Sequence, residues 1–196
     1  MINEREQFVK HSGAEKKKGY QSAAKNITQI ALFTALICVC SCITVPFGAI
    51  PFTLQTFAVA AAGALLGPKK GFFAVVTYLL MGLIGIPVFS GFRAGYTVLV
   101  GGTGGYLFGF MFMAVIVGWS KKIRVKHFLA RTAIFYGASW LGMAICYLFG
   151  TLWYMLMMKC DFAVAVAACV LPFLLADAVK FAVAAPLCVR LEKYLK

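Results

Sequence analysis

Leu174-Leu175-Ala176-Asp177-Ala178-Val179-Lys180-Phe181-Ala182-Val183 sets two opposite charges into a run that is otherwise hydrocarbon. From Phe162 to Val189 no other residue is charged. A bilayer-crossing helix needs about 20 predominantly apolar residues, and this run supplies them. An ionisable side chain in hydrocarbon is costly, so a retained one faces a protein interior or a polar cavity. A spacing of three puts Asp177 and Lys180 on one helix face. The pair can lock one helix against another, or it can offer an acceptor and a donor to a polar ligand. The sequence leaves both open.

Working outward, the whole chain has this character. Of its 196 residues 62% are hydrophobic and only 13% charged, with a mean hydropathy of +0.89. The apolar residues come in long blocks that a soluble domain of this size could not bury. The fold class is an all-α membrane protein with one compact helical domain. A net charge of +13 would suit nucleic acid, but the cations sit between apolar blocks, where positive-inside charge belongs. They report topology and contact with anionic lipid.

Six membrane helices fit the blocks. They are expected at about Ile27–Val45, Phe52–Leu66, Lys70–Ile86, Gly104–Trp119, Arg131–Met157 and Pro172–Leu191. Pro46, Gly67-Pro68 and Pro87 punctuate the first three. Residues 1–26, polar and lysine-rich, are expected to form a mobile basic cytoplasmic tail, and residues 27–196 the six-helix membrane domain. No small-x-small cleavage site follows the first block, so it is expected to be a retained helix. Pro172 suits the first turn of helix six, which would place Asp177 early in that helix. A start at Phe162 would bury the pair much deeper.

With six spans and the N-terminus inside, sixteen of the 19 Lys and Arg residues fall on the inner side. Arg93 and Lys159 fall outside, and Lys180 lies within a span. Both termini are therefore expected to be cytoplasmic, in the bacterial plasma membrane. The larger outer connections, Pro46–Pro51 and Pro87–Thr103, share a side with the start of helix six. A pocket open to the outside, with Arg93 hanging over it, is the expected consequence.

Ala31-x-x-x-Ala35, Gly63-x-x-x-Gly67 and Gly105-x-x-x-Gly109 each put two small residues on one helix face, which allows close helix approach. Gly101-Gly102-Thr103-Gly104-Gly105 lacks the strand-loop-helix context of a phosphate loop and matches no GxxxxGK[ST] pattern. It reads as a flexible loop entering a helix, and no ATP site is expected in this chain. Cys38-x-Cys40-x-Cys42 is a poor metal set, because helical residues two apart point in nearly opposite directions. The seven cysteines are expected to be free thiols. No nucleophile, base or metal set is assembled, so no enzyme, cofactor or metal is expected.

Val45-Pro46-Phe47-Gly48-Ala49-Ile50-Pro51-Phe52-Thr53-Leu54-Gln55 resembles the first-loop signature of the BioY family. Gly85-Ile86-Pro87-Val88-Phe89-Ser90-Gly91, the glycine run 101–105 with Tyr106-Leu107-Phe108-Gly109-Phe110, and Asp177-x-x-Lys180 are similar to its later motifs in the same order. Gly102 and Ala49 stand where the family pattern favours proline, which suggests a more flexible lid. The resemblance implies the biotin-specific substrate-binding subunit (S component) of an energy-coupling factor (ECF) transporter. It implies an outward biotin pocket, partnership with a transmembrane coupling protein (T component) and two cytoplasmic ATPases that alone use ATP. It also implies docking to the coupling protein through Ala31 and Ala35, and release of ligand inside by tipping in the membrane.

Biotin's chemistry suits the residues the resemblance points to. Asp177 would accept from the ureido N–H groups, and Gln55 or Thr53 would complement the carbonyl. Arg93 and Lys180 are both candidates for the valerate carboxylate. Tyr78, Tyr106 and Phe89 would pack on the bicycle, with ordinary helix packing as the competing role. Two other functions stay in view: an S component for a different vitamin, and a stand-alone secondary carrier. The carrier would predict internal inverted repeats, and none is visible.

Overall fold

A computed structural model describes residues 2–46, 50–123 and 125–194, with side chains from residue 19 onward. The Phe47-Gly48-Ala49 tip of the first-loop motif lies outside the described residues, as do Arg124 and Lys196. The elements run α1 (Ile2–Cys42), β1 (Thr44–Val45), β2 (Phe52–Thr53), α2 (Gln55–Leu66), α3 (Pro68–Leu83), α4 (Tyr96–Val100), α5 (Gly104–Ser120), α6 (Phe128–Met158), α7 (Phe162–Cys169) and α8 (Leu171–Leu191). Each of the six expected apolar blocks is helical, as α1, α2, α3, α5, α6 and α8. Among the described residues, three segments are long and apolar enough to cross a membrane: Gly19–Cys42, Phe128–Met158 and Phe162–Leu191. The apolar helices α2 and α5 are shorter.

The differences from expectation are local and physical. Helix α1 is continuous from Ile2, through the boundary expected near residue 27. It stops at Cys42, short of Pro46, because Thr44 and Val45 pair antiparallel with Thr53 and Phe52. β-branched residues favour such a ribbon over a helix end. The first loop is therefore a small hairpin. Between α7 and α8 the chain breaks at Val170, and Pro172 falls in the first turn of α8, where a missing N–H costs nothing. Asp177 thus sits about 9 Å along α8, at 1.5 Å per residue.

Helix α2 organises the bundle. It packs against α1, α3, α5 and α8, and nearly all of its residues are buried. Its sequence explains this: Gln55-Thr56-Phe57-Ala58-Val59-Ala60-Ala61-Ala62-Gly63-Ala64 is small almost throughout, so neighbours approach from every side. At Gly63 a Cβ would lie 2.5 Å from the Ala114 carbonyl oxygen of α5. On α5, Gly105 and Gly109 face α6, where a Cβ would meet Trp153 at 2.3 Å and Cys146 Sγ at 2.8 Å. The small-xxx-small faces of α2 and α5 are packing faces.

The glycine run 101–105 leads from a turn into α5 at Gly104, the helix entry expected, and its backbone is closely packed. Trp153 Nε1 donates to the Gly101 carbonyl at 2.9 Å. A Cβ at Gly104 would sit 1.8 Å from the Leu99 carbonyl oxygen. Glycine is needed there for close approach.

Candidate functional site

At one end of the bundle a cleft opens between the β1–β2 hairpin, the 89–103 connection and helices α2, α5, α6 and α8. Its empty volume is about 620 Å³, with the open mouth and adjoining solvent included. The walls are mostly apolar, from Val98, Leu107, Phe110, Met143 and Phe173. Polar side chains lie toward the mouth, where Arg93 is exposed, and at the closed end, where Asp177 and Lys180 are buried.

There the first turn of α2 meets the second turn of α8. Asp177 and Lys180 are both buried, with relative exposures of 1% and 8%. Lys180 Nζ donates to Asp177 Oδ1 at 2.8 Å and to Thr56 Oγ1 at 3.1 Å. Thr56 passes its own proton to Asp177 Oδ1 at 2.9 Å. From α6, Tyr147 donates its phenolic proton to Asp177 Oδ2 at 2.7 Å. The lysine also lies 4.0 Å from the centroid of the Phe52 ring, which stacks on Phe173. Phe52 thus closes a cation–π contact over the ammonium.

An inventory of hydrogen bonds shows what is left for a ligand. A carboxylate has about four acceptor positions; Lys180 and Thr56 occupy Oδ1, and Tyr147 takes one place on Oδ2. One acceptor place on Oδ2 remains. Gln55, buried in the same turn as Thr56, has an Nε2 to which no hydrogen bond is formed, although the Tyr78 hydroxyl, also without one, interacts with that side chain. An unpaired buried amide costs about 1–3 kcal/mol, a debt that a ligand carbonyl can remove. Gln55 and Asp177 line the same cleft, and an acceptor with an amide donor suits a group carrying both N–H and C=O.

Of the eight ligand residues expected, Thr53, Gln55, Phe89, Arg93, Tyr106, Asp177 and Lys180 line the cleft. Tyr78 does not. It is fully buried behind the wall and packs edge-on against Phe89, with ring centroids 5.5 Å apart. Tyr106 faces the cleft but its hydroxyl donates to the Cys169 carbonyl at 3.0 Å, tying α5 to α7. Arg93 stands exposed at the mouth, with Nε donating to the Ser90 carbonyl at 3.0 Å. Phe89 and Arg93 are bridged through their backbones, so the turn that carries Arg93 is fixed to the wall. Lys180 is engaged by Asp177 and Thr56, which leaves Arg93 as the cation at the open end.

Thr56 and Tyr147 were not among the residues singled out in sequence. Thr56 directly follows Gln55, so extending the first-loop motif by one residue would have reached it. Tyr147 carries no local signal in its apolar helix. On the far side, Ala31 and Ala35 lie exposed on the outer face of α1, beside exposed Leu32 and Val39.

A BioY family model matches residues 12–196. The chain is 39% identical over 169 residues to the probable biotin transporter BioY of Pyrococcus horikoshii, covering 86% of this chain and 97% of that one. It is 39% identical over 171 residues to the biotin transporter BioY of Thermotoga maritima, covering 86% and 96%. Among solved structures it is similar to the S component for biotin from an ECF-type ABC transporter. That match has a TM-score of 0.77 at 27% identity and covers 88% of this chain and 93% of that one.

Proposed function

The chain belongs to the BioY family, and from that premise we infer that its cleft is the biotin site of an S component serving biotin uptake. It is a transport subunit and not an enzyme. The observation that carries the placement of the ligand is the pairing at the closed end. Asp177 Oδ2 keeps one acceptor place, and the Gln55 amide, to which no hydrogen bond is formed, lines the same cleft. The biotin ureido group brings an N–H to the first and its carbonyl to the second, while Thr56, Tyr147 and Lys180 hold the carboxylate in place. Phe89, Tyr106 and Phe173 wall the bicycle. The valerate carboxylate runs to Arg93, whose fork suits it.

The wider arrangement extends this reading. Six helices cross the plasma membrane with both termini cytoplasmic, the 1–26 segment is a basic inner arm, and the cleft faces outward. Charge placement supports that orientation. The ATP is consumed by two cytoplasmic ATPases acting through a transmembrane T component, and this chain needs no cofactor. Ala31 and Ala35 form the docking face for that T component, which their exposure on α1 supports.

Calorimetry on the purified protein in detergent, without ATP, tests the ligand. Saturable one-to-one binding of biotin, with none of riboflavin or thiamine, is the expected result. Folded protein that ignores biotin overturns the reading. A second measurement addresses docking. Ala35→Trp should leave biotin binding intact and lower energised uptake at least about tenfold, equivalent to ~1.4 kcal/mol of lost association. Unchanged uptake would remove that face from the interface.

A further inference from the structure

The cleft does not end at Arg93. Pro51, Arg93, Val98 and Thr103 also line a second space on its outer side, which continues past Thr97 and Gly102 to Tyr154 and Met158. This outer chamber holds about 1280 Å³, its opening to solvent included. The two spaces thus adjoin at these four residues. Electrostatics orients a ligand within them. At the closed end a ligand carboxylate would face Asp177, an anion already held by three donors. Arg93 is the cation common to both spaces.

On the biotin reading above, we propose that the site also accepts biotin extended through its carboxyl group by an amide, as in Nε-biotinyl-lysine, with the extension lying in the outer chamber. The ring end makes the buried contacts and is untouched by the modification. The carboxyl end meets an arginine that is exposed, and exposed ion pairs contribute little. Replacing the carboxylate by a neutral amide should therefore cost less than about tenfold in affinity. The amide keeps a carbonyl that the Arg93 guanidinium can still donate to. The substrate class then includes biotin amidated at its carboxyl group as well as the free vitamin.

Calorimetry with the full chain in detergent decides it, with free biotin measured first on the same preparation. Nε-biotinyl-lysine should bind within about tenfold of biotin. Thr97 is exposed and lines only the outer chamber, so Thr97→Trp should weaken the lysine conjugate and leave biotin unchanged. Tight biotin binding with a loss greater than about tenfold for the conjugate overturns the proposal. A conjugate whose affinity ignores Thr97→Trp overturns the placement of its tail. Folded protein that binds neither compound overturns the biotin reading itself, an outcome distinct from the other two.

Discussion

Lys180→Met is expected to lower the stability of the folded protein by about 3–5 kcal/mol, because it strands Asp177 as an unpaired buried charge. Asp177 is 1% exposed, and after the change only Thr56 and Tyr147 would serve it. Thermal unfolding in detergent measures the loss. Asp177→Asn should be milder in stability but weaken biotin binding by at least ~1.5 kcal/mol, the scale of a hydrogen bond to a charged group. The double variant separates the two roles. Asp177→Asn with Lys180→Met removes both charges together and should recover much of the stability, while biotin binding stays impaired. If the double variant binds biotin like the parent, the pair serves only to lock α8 against α2. That result would decide the alternative the sequence left open.

Gly63→Leu is expected to be strongly damaging although it lies away from the ligand. Its Cβ would lie 2.5 Å from the Ala114 carbonyl oxygen and 3.2 Å from the Ala114 Cα. Backbone cannot swing aside as a side-chain tip can, so α2 and α5 must separate. Overpacking a tight core costs about 1–3 kcal/mol and more where backbone must shift. Gln55 and Thr56 begin the same helix, so biotin affinity should fall together with the melting temperature. Gly137→Ala in α6 is the matched control, since a Cβ there meets nothing within 4 Å. Its expected effect is a gain of up to ~1 kcal/mol, from helix propensity alone. A Gly63→Leu protein that melts with the parent would contradict the α2–α5 crossing.

Long apolar blocks made the six helices legible, and the proline at 172 located the start of α8 within a residue. Elements of two to eight residues were not legible. The β1–β2 ribbon, α4 and α7 are too short for any periodicity to separate them from loop. The same divide runs through the site. Asp177 and Lys180 announced themselves as charges among hydrocarbon. Tyr147 reaches Asp177 across 30 residues of chain, and no local pattern distinguishes it from other aromatic residues in an apolar helix. Tyr78, for which packing and ligand contact were both open in the sequence, packs edge-on against Phe89 and does not line the cleft. The glycine run 101–105 was read from composition alone, whereas tight contact with Leu99 and Trp153 is what demands those glycines. Composition tells how small a residue is and says nothing of what presses on it.

The bond from Thr56 to Asp177 joins residues 121 apart, and that separation has a consequence during synthesis. Helix α2 is made early, with the Gln55 amide and the Thr56 hydroxyl still awaiting the charges that organise them. Helices α3 to α7 must all be placed before α8 delivers Asp177 and Lys180. On the biotin placement proposed above, a nascent chain has no vitamin site until its last helix docks, and biotin added during translation can select only chains in which that docking has succeeded. The ligand would then act as a folding checkpoint for the final step of assembly.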